Sequence, residues 1–246
     1  MLDTRTFLAL PHNFKNKFNI YPPLVKQVIG NDYFGIYQKI FTMSQEELED
    51  EFSKEGKDIS QVPTPYEFLL ANCYHNKDFL EICKNAFKFF TNEEFTPLFQ
   101  LGIFIVGNLE EEVSKAKKAE DLIQFGKDDY FDFQNEIRMV LGIKPVEPPN
   151  PNEHPKIRAM KAKARYRDKI KAKQGNGLDL TTILASICCM GMGLNPLNIG
   201  DISYASTSTL INQYQSKEKY ELDIDSLLAG ADSKKVKPKY WIQQLD

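Results

Sequence analysis

The chain has 246 residues, of which 42% are hydrophobic and 26% charged, and its formal charge is −3. That is the balance of an ordinary globular protein, long enough for one large domain or two small ones, and it speaks against a protein that is basic throughout. Four cysteines behind an N-terminus that carries Asp3 and Arg5 instead of a signal pattern speak against a disulfide scaffold. They predict reduced thiols in a cytosolic compartment.

Pro22 and Pro23 are expected to open a short helix through Leu24, Val25 and Val28, stopped at Gly30. Asp32 is expected to cap a second helix through Tyr33, Ile36, Tyr37 and Ile40. Ser44 with Glu47 forms a capping-box pattern for a short acidic helix ending near Phe52. Thr64, Pro65 and Glu67 repeat that signal more strongly, ahead of Phe68, Leu69, Ala71, Asn72 and Cys73. Between Asp78 and Phe90, the residues Phe79, Ile82, Cys83, Ala86 and Phe90 recur at spacings of three and four and share one helix face. Phe95 to Val106 reads as a small hairpin turning at Gly102, with a buried helix as the alternative. Charged helices are expected near Glu110 to Phe125 and Asp129 to Leu141, the second ending at Gly142.

Five of the thirteen prolines fall between Pro145 and Pro155, where neither a helix nor a central strand can continue. The expected organisation is therefore an N-terminal mainly helical part, 1–144, a proline-rich linker, 145–155, and an all-helical C-terminal part, 156–246. The last part begins with a basic helix. Lys156 to Lys173 holds nine Lys or Arg and one acid, Asp168, a net +8, so the remaining residues sum to −11 (−3 less +8). Leu180 to Gly200 follows with no charge at all. It has the length of a membrane span, which needs about 20 mostly apolar residues. Thr181, Thr182 and Ser186 dilute its first half, and Gly191, Gly193, Asn195, Pro196 and Asn198 break its second, so no membrane is expected. The better reading is a helix capped by Asp179, with a core stripe of Leu180, Ile183, Leu184, Ile187 and Met190, ended by Gly191 or Gly193. A longer helix through Leu210, Ile211 and Tyr214 and a short one from Ile224 to Ala229 complete the pattern. The fold class expected is mainly α, with two helical parts and a small β-hairpin in the first.

No residue constellation announces chemistry. His12, His75 and His154 lie far apart, and Cys73, His75 and Cys83 lack a zinc spacing. Cys188 and Cys189 are adjacent and read, like the other thiols, as small buried side chains. Phosphate-loop, hydrolase-elbow and dinucleotide fingerprints are missing. The acid clusters at Glu46 to Glu51, Glu110 to Glu112 and Asp128 to Asp132 suit helix starts, where carboxylates favour the positive end of the dipole. No enzyme activity, metal or cofactor is expected. The seventeen Phe and eleven Tyr read first as packing, with an interface as the second use.

The basic segment is the candidate partner-binding element, through Lys161, Lys163, Arg165, Tyr166, Arg167 and Lys169. Three readings stand for it. A basic helix neutralises phosphates, but Tyr166 is its one ring, where single-strand binders offer several. A helix polar on nearly every side also suits a solvated bridge. The third reading is docking on an acidic protein surface, this chain's own N-terminal part included.

The order of segments resembles a known group. Pro145 to Glu153 reads P-x-E-P-P-x-P-N-E and Arg158 to Lys173 is the basic block; Ser186 to Gly193 reads S-I-C-C-M-G-M-G, leading into N-P-L-N-I-G-D. Tyr220 to Asp232 reads Y-E-L-D-I-D-S-L-L-A-G-A-D, and Ile20 to Val25 and Pro63 to Tyr74 look similar too. Together these resemble proteins of the tail-assembly modules of phages and prophages of Gram-positive bacteria, in particular the tail assembly chaperone group. The resemblance implies a non-enzymatic assembly factor that holds the tape-measure or another tail protein in the host cytoplasm, with self-association as a further contact. A structural component of the virion tail or connector is the alternative, and a nucleic-acid-binding module the second. The group has no residue-level motif, so no residue role carries over from it.

Overall fold

The computed structural model describes residues 2–54, 62–107, 112, 122–147, 160, 179–233, 235–240 and 242. Among them the fold is mainly α, with two small antiparallel sheets. Helix α1 (Thr4–Phe7) starts at Asp3, whose carboxylate accepts the amides of Arg5 and Thr6. A hairpin absent from the sequence reading follows, β1 (His12–Phe14) and β2 (Phe18–Ile20). Its period-two pattern buries Phe14, Phe18 and Ile20 and exposes the asparagines between them. Lys15 and Asn16, at φ 49° and 58°, make the turn, and Asn13 Oδ1 accepts the Asn16 amide. Two successive positive φ values suit the right-handed twist of paired strands.

Four helices follow in chain order: α2 (Val25–Ile29), α3 (Phe34–Thr42), α4 (Gln45–Lys54) and α5 (Pro65–His75). Both capping boxes form as read. Ser44 exchanges hydrogen bonds with Glu47, and Thr64 with Glu67. The start of α3 differs from expectation. Asn31, not Asp32, is tied in, its side chain accepting the Tyr33 amide and its carbonyl the Phe34 amide. The buried face moves accordingly to Phe34, Tyr37 and Phe41, and Ile36 stays exposed. Helix α6 (Lys77–Thr91) is amphipathic as read, and Phe87 joins its buried face.

Strands β3 (Phe95–Leu98) and β4 (Ile103–Val106) form the expected hairpin, with Gly102 at φ 65°. A third strand, β5 (Gln124–Phe125), pairs with β4 where a helix through Phe125 was expected. Phe125 is fully buried against Phe104, so tertiary packing decides this two-residue element rather than local propensity. Helix α7 (Lys127–Val140) closes the body. Ten of the seventeen phenylalanines lie in its core, and Phe87 stacks on Phe95 with ring centroids 4.0 Å apart. Fully burying one such ring contributes about 1.5–3 kcal/mol. The phenylalanine surplus is therefore mostly core.

At the C-terminal end, α8 (Leu180–Cys189) is capped by Asp179, which accepts both the Thr182 amide and its hydroxyl. A 3₁₀ turn (Ile199–Asp201) leads into α9 (Tyr204–Leu228). The two helices expected after Leu210 are this one helix of 25 residues, since no Gly or Pro interrupts 204–228. The expected core stripe of α8 is also corrected: Ile187 is buried, and Leu180, Ile183, Leu184 and Met190 are half-buried. Among the described residues this ten-residue helix packs mainly on α9, with Leu180 against the core of the first body. The C-terminal helices are seated on the first body. Val25 donates to the Ile202 carbonyl, Tyr204 donates to that of Pro23, and the Tyr204 ring meets Phe34 edge-on at 5.4 Å.

Candidate partner-binding groove

A groove of about 500 Å³ opens between α3, α4 and α5. Each helix offers it one ridge. Ile36 and Ile40 come from α3, Leu48 and Phe52 from α4, and Phe68 and Asn72 from α5. All three pairs are spaced i, i+4, and residues so spaced line up along one face of a helix. Ridges of this spacing are what a further helix packs into. Met43, Pro65, Leu69 and, from the following helix, Phe79 complete the apolar lining. A polar extension of about 330 Å³ continues past Lys39 and Met43 toward Thr42, Glu47 and Glu51.

The rim carries both signs: Lys39 and Glu51 line the groove, and Glu47 joins them in the extension. Helix α4 carries Glu46, Glu47, Glu49, Asp50 and Glu51 against Lys54, a net −4. Glu47 is partly committed to the Ser44 cap, and Glu51 lies 3.1 Å from Lys54. Across the rim, the Arg138 guanidinium donates to the carbonyls of Thr42 and Lys144. Burial pulls the Arg138 pKa down, and the nearby Glu47 charge opposes that pull. The chain leaving α7 is thus fastened beside the groove.

Glu110 and Glu111 lie outside the described residues, and the acids at the start of α7 serve the fold. Asp129, in the first turn of α7, is 2.6 Å from Lys17 and also accepts the Gly126 amide. Burial pushes its carboxyl up, but Lys17, that amide and Lys15 together hold it below the ordinary carboxylate range. Glu67 is drawn down to about 2 by the Lys127 ammonium and the Thr64 amide. Helix caps and cross-element ion pairs account for these carboxylates, as their positions at helix starts suggested.

One arrangement that spacing did not reveal looks chemical. Thr6 Oγ1 lies 3.0 Å from His12 Nε2, and Glu136 Oε2 lies 3.4 Å from Nδ1. Hydroxyl, imidazole and carboxylate follow the order of a hydrolase triad. Thr6 is fully buried, however, so no substrate reaches the hydroxyl, and the three residues tie α1, β1 and α7 together. The thiols divide. Cys73 and Cys83 are buried as expected, whereas Cys188 is half-buried and Cys189 exposed, because α8 is covered on one side. Hydrogen bonding to Cys73 and burial push the Cys83 thiol up.

Lys161, Lys163, Arg165, Tyr166, Arg167 and Lys169 lie outside the described residues. Of Lys156 to Lys173, Met160 alone is described, helical and exposed. The groove itself was missed. Ile36 and Ile40 were legible as an α3 stripe and Phe68 as part of α5, but no sequence signal says that their neighbours leave a slot open.

Among the described residues no group of three or more His, Cys, Asp or Glu could hold a metal ion, and no helix is long and apolar enough to cross a membrane. The geometry is that of a mainly helical protein with an apolar groove whose charged lining is Lys39 and Glu51. Residues 170–246, 77 of the chain's 246, match the family model of the YomV second domain. YomV is a phage-derived protein of Bacillus, and the match supports a phage or prophage protein. It covers α8, α9 and the tail, not the groove. No curated protein and no solved structure matches the chain.

Proposed function

We propose that this protein is a non-enzymatic phage tail assembly factor that holds the tape-measure or another tail protein. The observation that carries the reading is the groove, three i, i+4 ridges enclosing about 500 Å³ with Ile36 exposed at its mouth. Helix-in-groove recognition uses a slot of this kind. A small-molecule site would instead offer several convergent polar groups. Here Asn72 is turned to the Phe68 carbonyl, and Lys39 and Glu51 stand at the rim. The YomV second-domain match and the ordered likeness to tail-module proteins supply the phage setting.

Co-expression with the tape-measure protein of the same phage, followed by purification of this chain, tests the reading. Co-purification at low and moderate salt is the expected result, and its absence at both would sink the reading. Peptide mass spectrometry of purified virions separates a factor from a structural part. An assembly factor is absent from finished particles, whereas a tail or connector component is present in stoichiometric amounts.

A further inference from the structure

We infer that Tyr21–Val25, with Gly142 beside it, is a peptide-docking edge whose ligand is Asp201–Thr207, the entry to α9, and that this contact holds the two parts of the chain together without the residues that connect them. The contact is independent of the assembly reading and of the groove. The edge is built before anything docks on it. Tyr21 donates its amide to the Phe90 carbonyl at 2.7 Å, which fixes the segment to the end of α6. Pro22 and Pro23 follow, both buried, with φ set by their rings and no amide left to satisfy. Leu24 is extended at φ −80° and ψ 151°, and Val25 opens α2. Docking on such an edge orders little that is not already ordered, which favours affinity.

The ligand meets it through main chain first. Leu24 and Ser203 form an antiparallel bridge; the Tyr204 amide donates to the Pro23 carbonyl at 2.8 Å, and the Val25 amide to the Ile202 carbonyl at 3.0 Å. In strand addition such bonds give affinity, and the flanking side chains give specificity. Here the flanking side chains are small. Ser203, Ala205, Ser206 and Thr207 are buried, and Ser206 Oγ donates to the Phe7 carbonyl at 3.0 Å, so the buried hydroxyls have partners. A Cβ built on Gly142 would lie 3.1 Å from that of Ala205, so a larger residue at either position would push the backbones apart. Lys26 and Asp201 are 2.7 Å apart but mostly exposed, and an exposed pair contributes little. The ligand class is therefore an extended dipeptide that turns, at a serine cap, into a helix with a first turn of small residues. None of these contacts involves residues 148–178.

The test uses the full chain with a protease site inserted within 148–178, folded and then cut. On gel filtration at about 10 μM the two pieces should elute together, as any pair with a Kd of about 1 μM or tighter does. Ala205→Leu should separate them, because the added bulk has no room at Gly142, while the uncut variant keeps the helix content of the parent by circular dichroism. Tyr204→Ala adds no bulk and keeps the test decisive if Ala205→Leu fails to fold; it should weaken association about fivefold through the lost ring pair with Phe34. Asp201→Asn should weaken it less than about threefold. Separate elution of the cut parent pieces, or precipitation of either, overturns the inference. Co-elution that Ala205→Leu and Tyr204→Ala leave unchanged overturns it too, since the pieces would then be held elsewhere. Separation by Asp201→Asn alone would replace the backbone edge with a charge contact.

Discussion

The N-terminal body and the C-terminal helices share apolar content but not burial. In the first, Phe41, Phe87, Phe90, Phe104, Phe125 and Phe133 are fully buried between helices and sheet. In the second, Ile187 of α8 and Ala205, Ser206 and Thr207 of α9 are the residues buried within those two helices. Helix α9 is about 37 Å long and α8 about 15 Å, so α8 flanks less than half of its neighbour. Apolar pattern alone does not make a core; a second layer must be present to close it. The first body has that layer. The C-terminal helices rely on their seat at Pro23, Phe34 and Ile202.

The largest effect that could break this contrast is Phe87→Ala. It should cost about 3–5 kcal/mol in denaturant unfolding, because the cavity would sit among rings that cannot collapse into it. A cost below about 1 kcal/mol, the level of a surface substitution, would contradict the closed-core description. Next is Asp129→Asn. Hydrogen bonds to a charged group contribute about 1.5–3 kcal/mol, so the variant should lose that much at pH 7. The folded pKa of Asp129 lies below its ordinary value. The contribution is therefore complete above the unfolded pKa of about 3.9 and fades as pH falls through the folded one. Parent and variant melting curves should converge there. A gap that persists at the lowest pH would place the effect in packing instead.

Tyr204→Ala sharpens the contrast from the other side. Losing one edge-on ring pair costs about 1 kcal/mol. Hydrogen exchange should quicken in α8 and α9 while α6 and β4 hold their protection. Equal acceleration in both regions would show that they unfold as one unit. The smallest effect belongs to Glu67. Its carboxyl should titrate by NMR at about 2, where an ordinary glutamate titrates near 4.3, and Lys127→Met should move it back up.

Local signals were the legible part of the fold. Ser44–Glu47, Thr64–Glu67 and Asp179 each mark a helix start in sequence and each form the bonds they imply. Gly102 marks the β3–β4 turn because its φ of 65° suits a residue without a Cβ. What stayed hidden depends on distant partners. Phe125 is a strand residue because β4 is beside it, and Gln124 and Phe125 carry no strand signal of their own length. The β1–β2 hairpin went unread, although His12–Phe14 and Phe18–Ile20 alternate on either side of Asn16 in the left-handed region. The groove is the extreme case, since an open slot is a property of three helices and of none of their sequences.

Hydrogen exchange on the full chain, alone and in complex with the tape-measure protein, tests the central claim most directly. If the apolar groove is the docking site, amides of 34–43 and 65–72 slow in the complex, and those of the hairpin His12–Ile20, which does not line it, do not change. Protection confined to α9 and the tail, with 34–43 and 65–72 unchanged, would contradict it and move the site to the C-terminal helices.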